Sequence, residues 1–146
     1  MHKTLIIIAE DDADDRFLLS TAFQESGFHG KLSFVENGAI LMDELNTMVA
    51  QRNTTELPQF ILLDLNMPLK DGREVLRELK ANAVLKKIPV IVFTTTNNQS
   101  EVNKCYELGA NTYIVKPFGF DQLIKTVQQI SDYWFRTATI AKPEFS

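Results

Sequence analysis

The stretch Phe60-Ile61-Leu62-Leu63-Asp64-Leu65-Asn66-Met67-Pro68 runs apolar from Phe60 to Leu63 and then stops on a carboxylate. Continuous rather than alternating hydrophobicity over so short a run predicts a strand buried on both faces, the mark of a parallel sheet. Outward from it, Leu5–Ala9, Val90–Phe93 and Tyr113–Val115 repeat the pattern. Leu32–Val35 is mixed, with Ser33 between Leu32 and Phe34, which suits a sheet edge.

Between these runs the apolar spacing changes to the helical period. Leu18, Leu19, Ala22 and Phe23 form one stripe, closed by Gly27 as a C-cap. Ala39, Met42, Leu45 and Val49 form a second, and Asn37-Gly38 just before it reads as a strand-to-helix turn rather than a hairpin. Val75, Leu76 and Leu79 form a third, entered through Asp71-Gly72. Val102, Cys105 and Leu108 form a fourth, stopped by Gly109. Phe120, Leu123, Ile124, Val127, Ile130 and Trp134 form the fifth and longest. Strands alternating with helices in this way predict an α/β three-layer sandwich with right-handed crossovers. Gln51–Gln59 reads as an exposed loop, and no repeat or second domain is visible. Of Tyr133, Trp134 and Phe135, one is expected to pack inward while the others cap the helix end or meet a second copy of the chain.

At 146 residues, with 45% hydrophobic and 23% charged, the composition excludes disordered, collagen-like and membrane-spanning classes. Its longest unbroken apolar run, Leu5–Ala9, leads straight into Glu10 and Asp11, so it is neither a bilayer span nor a signal peptide. One cysteine rules out an internal disulfide, and with two histidines it cannot complete a four-ligand zinc site. Fifteen basic against nineteen acidic residues, a net charge of −4, argue against non-specific nucleic-acid binding. A reducing cytoplasm is the expected compartment.

Sites in open parallel sheets form beyond the carboxyl ends of the strands. Glu10, Asp11, Asp12, Asp14 and Asp15 follow the first strand; Asp64 and Asn66 follow the third. Thr94, Thr95 and Thr96 follow the fourth, and Lys116 the fifth. Acidic residues opening a helix complement its dipole, which suffices for Asp12, an N-cap, and for Asp14 and Asp15. It is a weaker reading of Glu10, Asp11 and Asp64, which leave buried strands directly. Carboxylates held together repel by about 4 kcal/mol per pair at roughly 4 Å and an effective dielectric near ~20. Such a cluster needs neutralising, and an all-oxygen site suits Mg²⁺. An Asp beside a divalent cation, with a lysine and a hydroxyl nearby, can accept a phosphoryl group. There is no Walker A sequence, no G-x-G-x-x-G, and no Ser or Cys nucleophile paired with a His.

Glu10-Asp11, then Leu-Asp64-Leu-Asn-Met-Pro with Asp71-Gly72, then Thr94, then Lys116-Pro117-Phe118 resemble the receiver domain of two-component response regulators. The similarity runs from about Thr4 to Trp134, so a receiver domain over residues 4–136 and a short tail over 137–146 are expected. The resemblance implies a flavodoxin-like fold with strand order 2-1-3-4-5. It makes Asp64 the phosphoacceptor, and it gives Mg²⁺ to Glu10, Asp11, Asp64 and the main-chain carbonyl of Asn66. Thr94 becomes the switch hydroxyl, Lys116 the phosphoryl-pairing lysine and Tyr113 the aromatic that follows the switch. Pro117 implies a cis peptide after Lys116. The acidic pair is Glu-Asp rather than the commoner Asp-Asp, and Asp11-Asp12 is the alternative register. Thr95, where many receivers have Ala or Gly, narrows access to the phosphorylation site.

The Thr-Thr-Thr run, Cys105-Tyr106 and the long last helix are similar to stand-alone regulators paired with phytochrome-type sensor kinases. The implied partners are a histidine kinase or phosphotransfer protein and a downstream protein target. A homodimer through the face of the fourth helix, fifth strand and fifth helix belongs with them; direct DNA binding and membrane contact are not expected. Two rivals are a phosphatase of the haloacid-dehalogenase kind and a scaffold that is never phosphorylated. The phosphatase wants a second Asp two residues beyond its nucleophile as general acid, and Asn66 stands there.

Overall fold

The computed structural model describes residues 4–52 and 57–141. Among these, β1 (Leu5–Ala9), β2 (Lys31–Val35), β3 (Phe60–Leu63), β4 (Val90–Thr94) and β5 (Thr112–Val115) alternate with five helices. The helices are α1 (Ala13–Glu25), α2 (Gly38–Ala50), α3 (Gly72–Ala81), α4 (Gln99–Glu107) and α5 (Phe120–Asp132). All strand pairs are parallel and the order is β2-β1-β3-β4-β5. This is the flavodoxin-like order, and its switch point falls between β1 and β3. Leu32 to Val35, the mixed run, lies in the edge strand as expected.

Successive residues of the inner strands feed opposite faces. Ile6, Ile8, Phe60, Leu62, Ile91 and Phe93 pack with Leu19 and Phe23 of α1 and with Leu123, Val127 and Ile130 of α5. Ile7, Ala9, Ile61, Leu63, Val90 and Val92 pack with α2, α3 and Cys105 of α4. Continuous apolar runs are therefore needed because both faces are covered.

Helix ends follow their local chemistry. Asp12, Asn37, Asp71 and Asn98 each cap a helix by accepting an amide hydrogen bond. After Ser26, Gly27 turns left-handed at φ +86°. Its N–H then donates to Gln24 and that of Phe28 to Phe23, the paired bonds of a Schellman ending.

Two helix stripes differ from the sequence reading. Leu18 lies at the surface, 39% exposed, while Leu19, Ala22 and Phe23 are buried. In α2, Leu41 is fully buried and Ala39 only partly so. Gly38 sets that phase: it sits under the Lys70 carbonyl and Val75, so residues three, four and seven further on face the core.

Trp134 and Phe135 both pack inward, with ring centroids 6.4 and 5.4 Å from Phe60, and Phe135 also stacks on Phe28 at 5.6 Å. Only Tyr133 is left out, 51% exposed. A π-helical turn over Tyr133–Thr137, closed by the Ala138 N–H to the Tyr133 carbonyl, widens the spiral. Successive side chains then diverge less than in an α-helix. Residues 53–56 of the expected loop and 142–146 of the expected tail, including Pro143, lie outside the described residues.

At the base of the sheet, Lys80 of α3 gathers three oxygens. Its Nζ donates to the carbonyls of Lys86 and Ile88 at 3.3 and 3.4 Å and to Asn111 Oδ1 at 3.2 Å. Burial lowers its pKa below the usual lysine value. No helix among the described residues is long and apolar enough to cross a membrane.

Candidate functional site

The carboxyl end of β1 delivers Glu10 and Asp11, and that of β3 delivers Asp64. The strands lie side by side, with Ala9 opposite Leu63 and the Asp64 N–H donating to the Ala9 carbonyl at 3.1 Å. One carboxylate oxygen from each of Glu10, Asp11 and Asp64 falls within 4.8 Å of the others. Glu10 is 2% exposed and Asp64 7% exposed, whereas Asp11 faces solvent. The Asp11-Asp12 register is disfavoured by geometry, since Asp12 Oδ1 is spent on capping the Asp15 N–H at 3.0 Å.

Lys116 enters from β5, placed by its own N–H donating to the Thr94 carbonyl at 2.8 Å. Its ammonium donates to Glu10 Oε1, to Asp64 Oδ2 at 3.2 Å and to Asp15 Oδ2 at 3.4 Å. Burial alone would depress this lysine, but the Glu10 hydrogen bond and the charges of Asp64, Glu10 and Asp15 lift its pKa to about 12. Burial pushes Glu10 up to about 7, aided by the charge of Asp64 and opposed by the Lys116 hydrogen bond. Three acids facing one ammonium, with Asp11 beside them, leave an excess of negative charge. Three hard carboxylate oxygens at one point are the donor set a divalent cation takes, so the residues present fit one.

Thr94 ends β4 fully buried, and its Oγ1 has no hydrogen-bond partner among the described residues. The hydroxyl of Tyr113 donates to the Thr96 carbonyl at 2.7 Å, tying β5 to the loop after β4. The Lys116–Pro117 bond, expected cis, is trans, as is every described peptide bond. Trans remains the lower-energy isomer by about 0.5–1 kcal/mol even before proline.

Asp64 is framed tightly. The Asn66 N–H donates to its Oδ1 at 3.3 Å. Across the loop, Gly72 presses on the same residue: a Cβ there would stand 2.5 Å from the Asp64 carbonyl oxygen and 2.8 Å from Leu65 Cα. Only a glycine lets α3 start so close.

Sequence reasoning missed Asp15, because the helix dipole already explained an acid in that turn. No spacing rule offered it, because Asp11 precedes the extended N-cap Asp12 and lies outside the helix that carries Asp15. It also missed two ties of α4. Arg73 Nε donates to Glu101 Oε2 at 2.9 Å, and the Tyr106 hydroxyl accepts the Tyr113 N–H at 3.0 Å.

A family model described as the response regulator receiver domain matches residues 6–128. The chain is 39% identical over 136 residues to response regulator Rcp1 of Synechocystis sp., covering 93% of this chain and 92% of that protein. Its fold matches the phosphorylated cyanobacterial phytochrome response regulator RcpA with a TM-score of 0.85 and 38% identity, over 96% of this chain and 99% of that one. A second match is the Mn²⁺-bound form of Rcp1, at a TM-score of 0.82 and 38% identity over 94% and 99% of the two chains.

Proposed function

Because the chain belongs to the response regulator receiver domain family, we propose that Asp64 takes up the phosphoryl group in a Mg²⁺-dependent reaction. A receiver domain implies a histidine kinase or phosphotransfer protein that offers a phosphohistidine, and the phytochrome context of the relative RcpA favours a photosensory kinase. The observation that carries the reading is the convergence of the Glu10, Asp11 and Asp64 oxygens within 4.8 Å, with the Lys116 ammonium on Asp64.

An Asp64 oxygen attacks the phosphorus. The new O–P bond forms as the N–P bond of the phosphohistidine breaks, and the imidazole nitrogen keeps the electron pair. Glu10, Asp11, Asp64 and the main-chain carbonyl of Asn66 would hold the cation, which when bound supplies positive charge against the transferring oxygens. Lys116 shifts from the bare carboxylates to the phosphoryl oxygens, and the unpartnered Thr94 hydroxyl donates to another. Hydrolysis reverses the state: water attacks phosphorus, the O–P bond to Asp64 breaks, and inorganic phosphate leaves.

Movement of Thr94 is passed to Tyr113 through the loop whose Thr96 carbonyl its hydroxyl holds. The surface of α4, β5 and α5 then changes its preference for a downstream protein. Taking such a switch from mostly off to mostly on requires about 5.5 kcal/mol of differential interaction, within reach of a dianion making several charge-assisted bonds. The unit doing this spans 4–136, with 137–146 as its tail, works in the cytoplasm and binds no DNA directly. This is signalling rather than turnover, and the phosphatase reading lacks the general acid that Asn66 replaces.

Incubation with a phosphorylated histidine kinase and Mg²⁺ should label the wild type and leave Asp64→Asn unlabelled. Label retained by that variant overturns the assignment. The homodimer through α4, β5 and α5 is tested by sedimentation of the wild type and of Tyr133→Ala, because Tyr133, just past α5, is exposed while Trp134 and Phe135 are partly buried against the core. A wild type that is monomeric at high concentration rejects it.

A further inference from the structure

Lys116 has one more acidic neighbour than the proposed chemistry employs. Asp15 Oδ2 lies 3.4 Å from its Nζ, and the Asp15 side chain is 42% exposed, against 9% for Asp64 and 2% for Glu10. Asp15 is the third residue of α1, a position from which an acid commonly reaches back to the amide of the N-cap residue. Here that amide, Asp12 N–H, already donates to Glu10 Oε2 at 3.2 Å. Asp15 is thereby released from capping, and among the described residues its only ion pair is with Lys116.

An ammonium has three N–H groups, and Glu10, Asp64 and Asp15 occupy all three. We propose that Asp15 is a positioning residue that competes with Asp64 for Lys116 and thereby restrains reaction with anionic phosphoryl donors. The inference rests on the phosphoacceptor reading of Asp64. An arriving phosphoryl group must draw the ammonium toward Asp64. Asp15 opposes this twice, by holding the lysine on the solvent side and by repelling the incoming anion. Because it is the exposed member of the trio, it can release the lysine with little rearrangement.

Acetyl phosphate with Mg²⁺ tests the idea on the full chain. In that reaction the Asp64 O–P bond forms, the acetyl O–P bond breaks and acetate leaves with the electron pair. Asp15→Asn keeps the backbone cap intact, since the Asp15 N–H rather than its side chain meets Asp12. Asp14→Asn makes the same change of charge one residue away, at a side chain with no ion pair among the described residues.

The second-order labelling rate constant is expected to rise about twofold to fivefold in Asp15→Asn, the scale of a partly exposed ion pair, and to stay near wild type in Asp14→Asn. The gain should fall on the half-saturating acetyl phosphate concentration rather than on the limiting rate. Equal gains in both variants would mean a general charge effect and overturn the proposal. An Asp15→Asn rate that is unchanged or slower, or a gain in the limiting rate alone, overturns it too. A wild type that never labels defeats the phosphoacceptor reading itself, whereas a labelled wild type with an unmoved variant defeats only the role given to Asp15.

Discussion

Lys116 Nζ stands 3.2 Å from Asp64 Oδ2 while also bonding Glu10, with side-chain exposures of 12%, 9% and 2% for the three residues. One ammonium thus tethers two buried carboxylates carried by different strands. Lys116→Met leaves both acids without a cation, and the metal-free protein is expected to lose about 3 kcal/mol, the scale for breaking a buried pair. A divalent cation should restore most of that loss. Denaturant melts with and without Mg²⁺ check it, and an equal loss in both conditions would speak against shared neutralisation.

Glu10 supplies a pH signature. Its carboxyl is raised from 4.5 to about 7 by burial first, then by Asp64, against the pull of Lys116. A folded-state pKa above the unfolded value means the folded protein binds more protons between those limits. The corresponding stability is present below about 4.5 and is lost as pH rises through about 7. Lys116, raised from 10.5 to about 12, acts only at alkaline pH and leaves that window alone. Metal binding needs the ionised acid, so the melting-temperature gain from Mg²⁺ should grow across the same window and then level off. Both slopes should flatten in Glu10→Gln; persistence of the slopes would assign them to other groups.

Thr94 carries a buried hydroxyl with no hydrogen-bond partner among the described residues. Replacing an unpaired buried polar atom with an apolar group of similar shape removes a desolvation cost. Thr94→Val should therefore match or exceed wild-type stability, by up to about 1 kcal/mol. The same variant should gain less from beryllium fluoride with Mg²⁺, a phosphoryl mimic that would use the hydroxyl. Thermal melts with and without the mimic decide the matter, and an equal gain in both proteins would remove Thr94 from the switch.

Gly72 presses on the Asp64 backbone, where a Cβ would come within 2.5 Å of its carbonyl oxygen. Gly72→Ala should cost about 2 kcal/mol through overpacking. It should also weaken Mg²⁺ binding by displacing Asp64. Calorimetric titration measures the second effect, and unchanged affinity would show that the loop absorbs the methyl elsewhere.

The acids, the threonine and the lysine were legible because each directly follows an apolar run, and parallel strands bring such positions to one rim. The five helices were legible because burying one face imposes a period. What escaped the sequence depended on geometry that period reasoning does not carry. The π turn changes the rotation per residue as Trp134 and Phe135 both turn toward Phe60. Asp15 escaped because the dipole of α1 was a sufficient reason for an acid there. The bond between Tyr106 and the Tyr113 amide escaped because the approach of α4 to the edge of β5 is a tertiary relation.

The clasp of Lys80 at the opposite end of the sheet has a mechanical consequence. Its ammonium is gripped by two main-chain carbonyls and one amide oxygen, neutral dipoles that an incoming anion at the far rim does not titrate. Lys116 is held instead by three carboxylates, charges that a phosphoryl group on Asp64 would compete with under the proposed function. The domain thus resembles a lever clamped at its heel, with its travel confined to the toe.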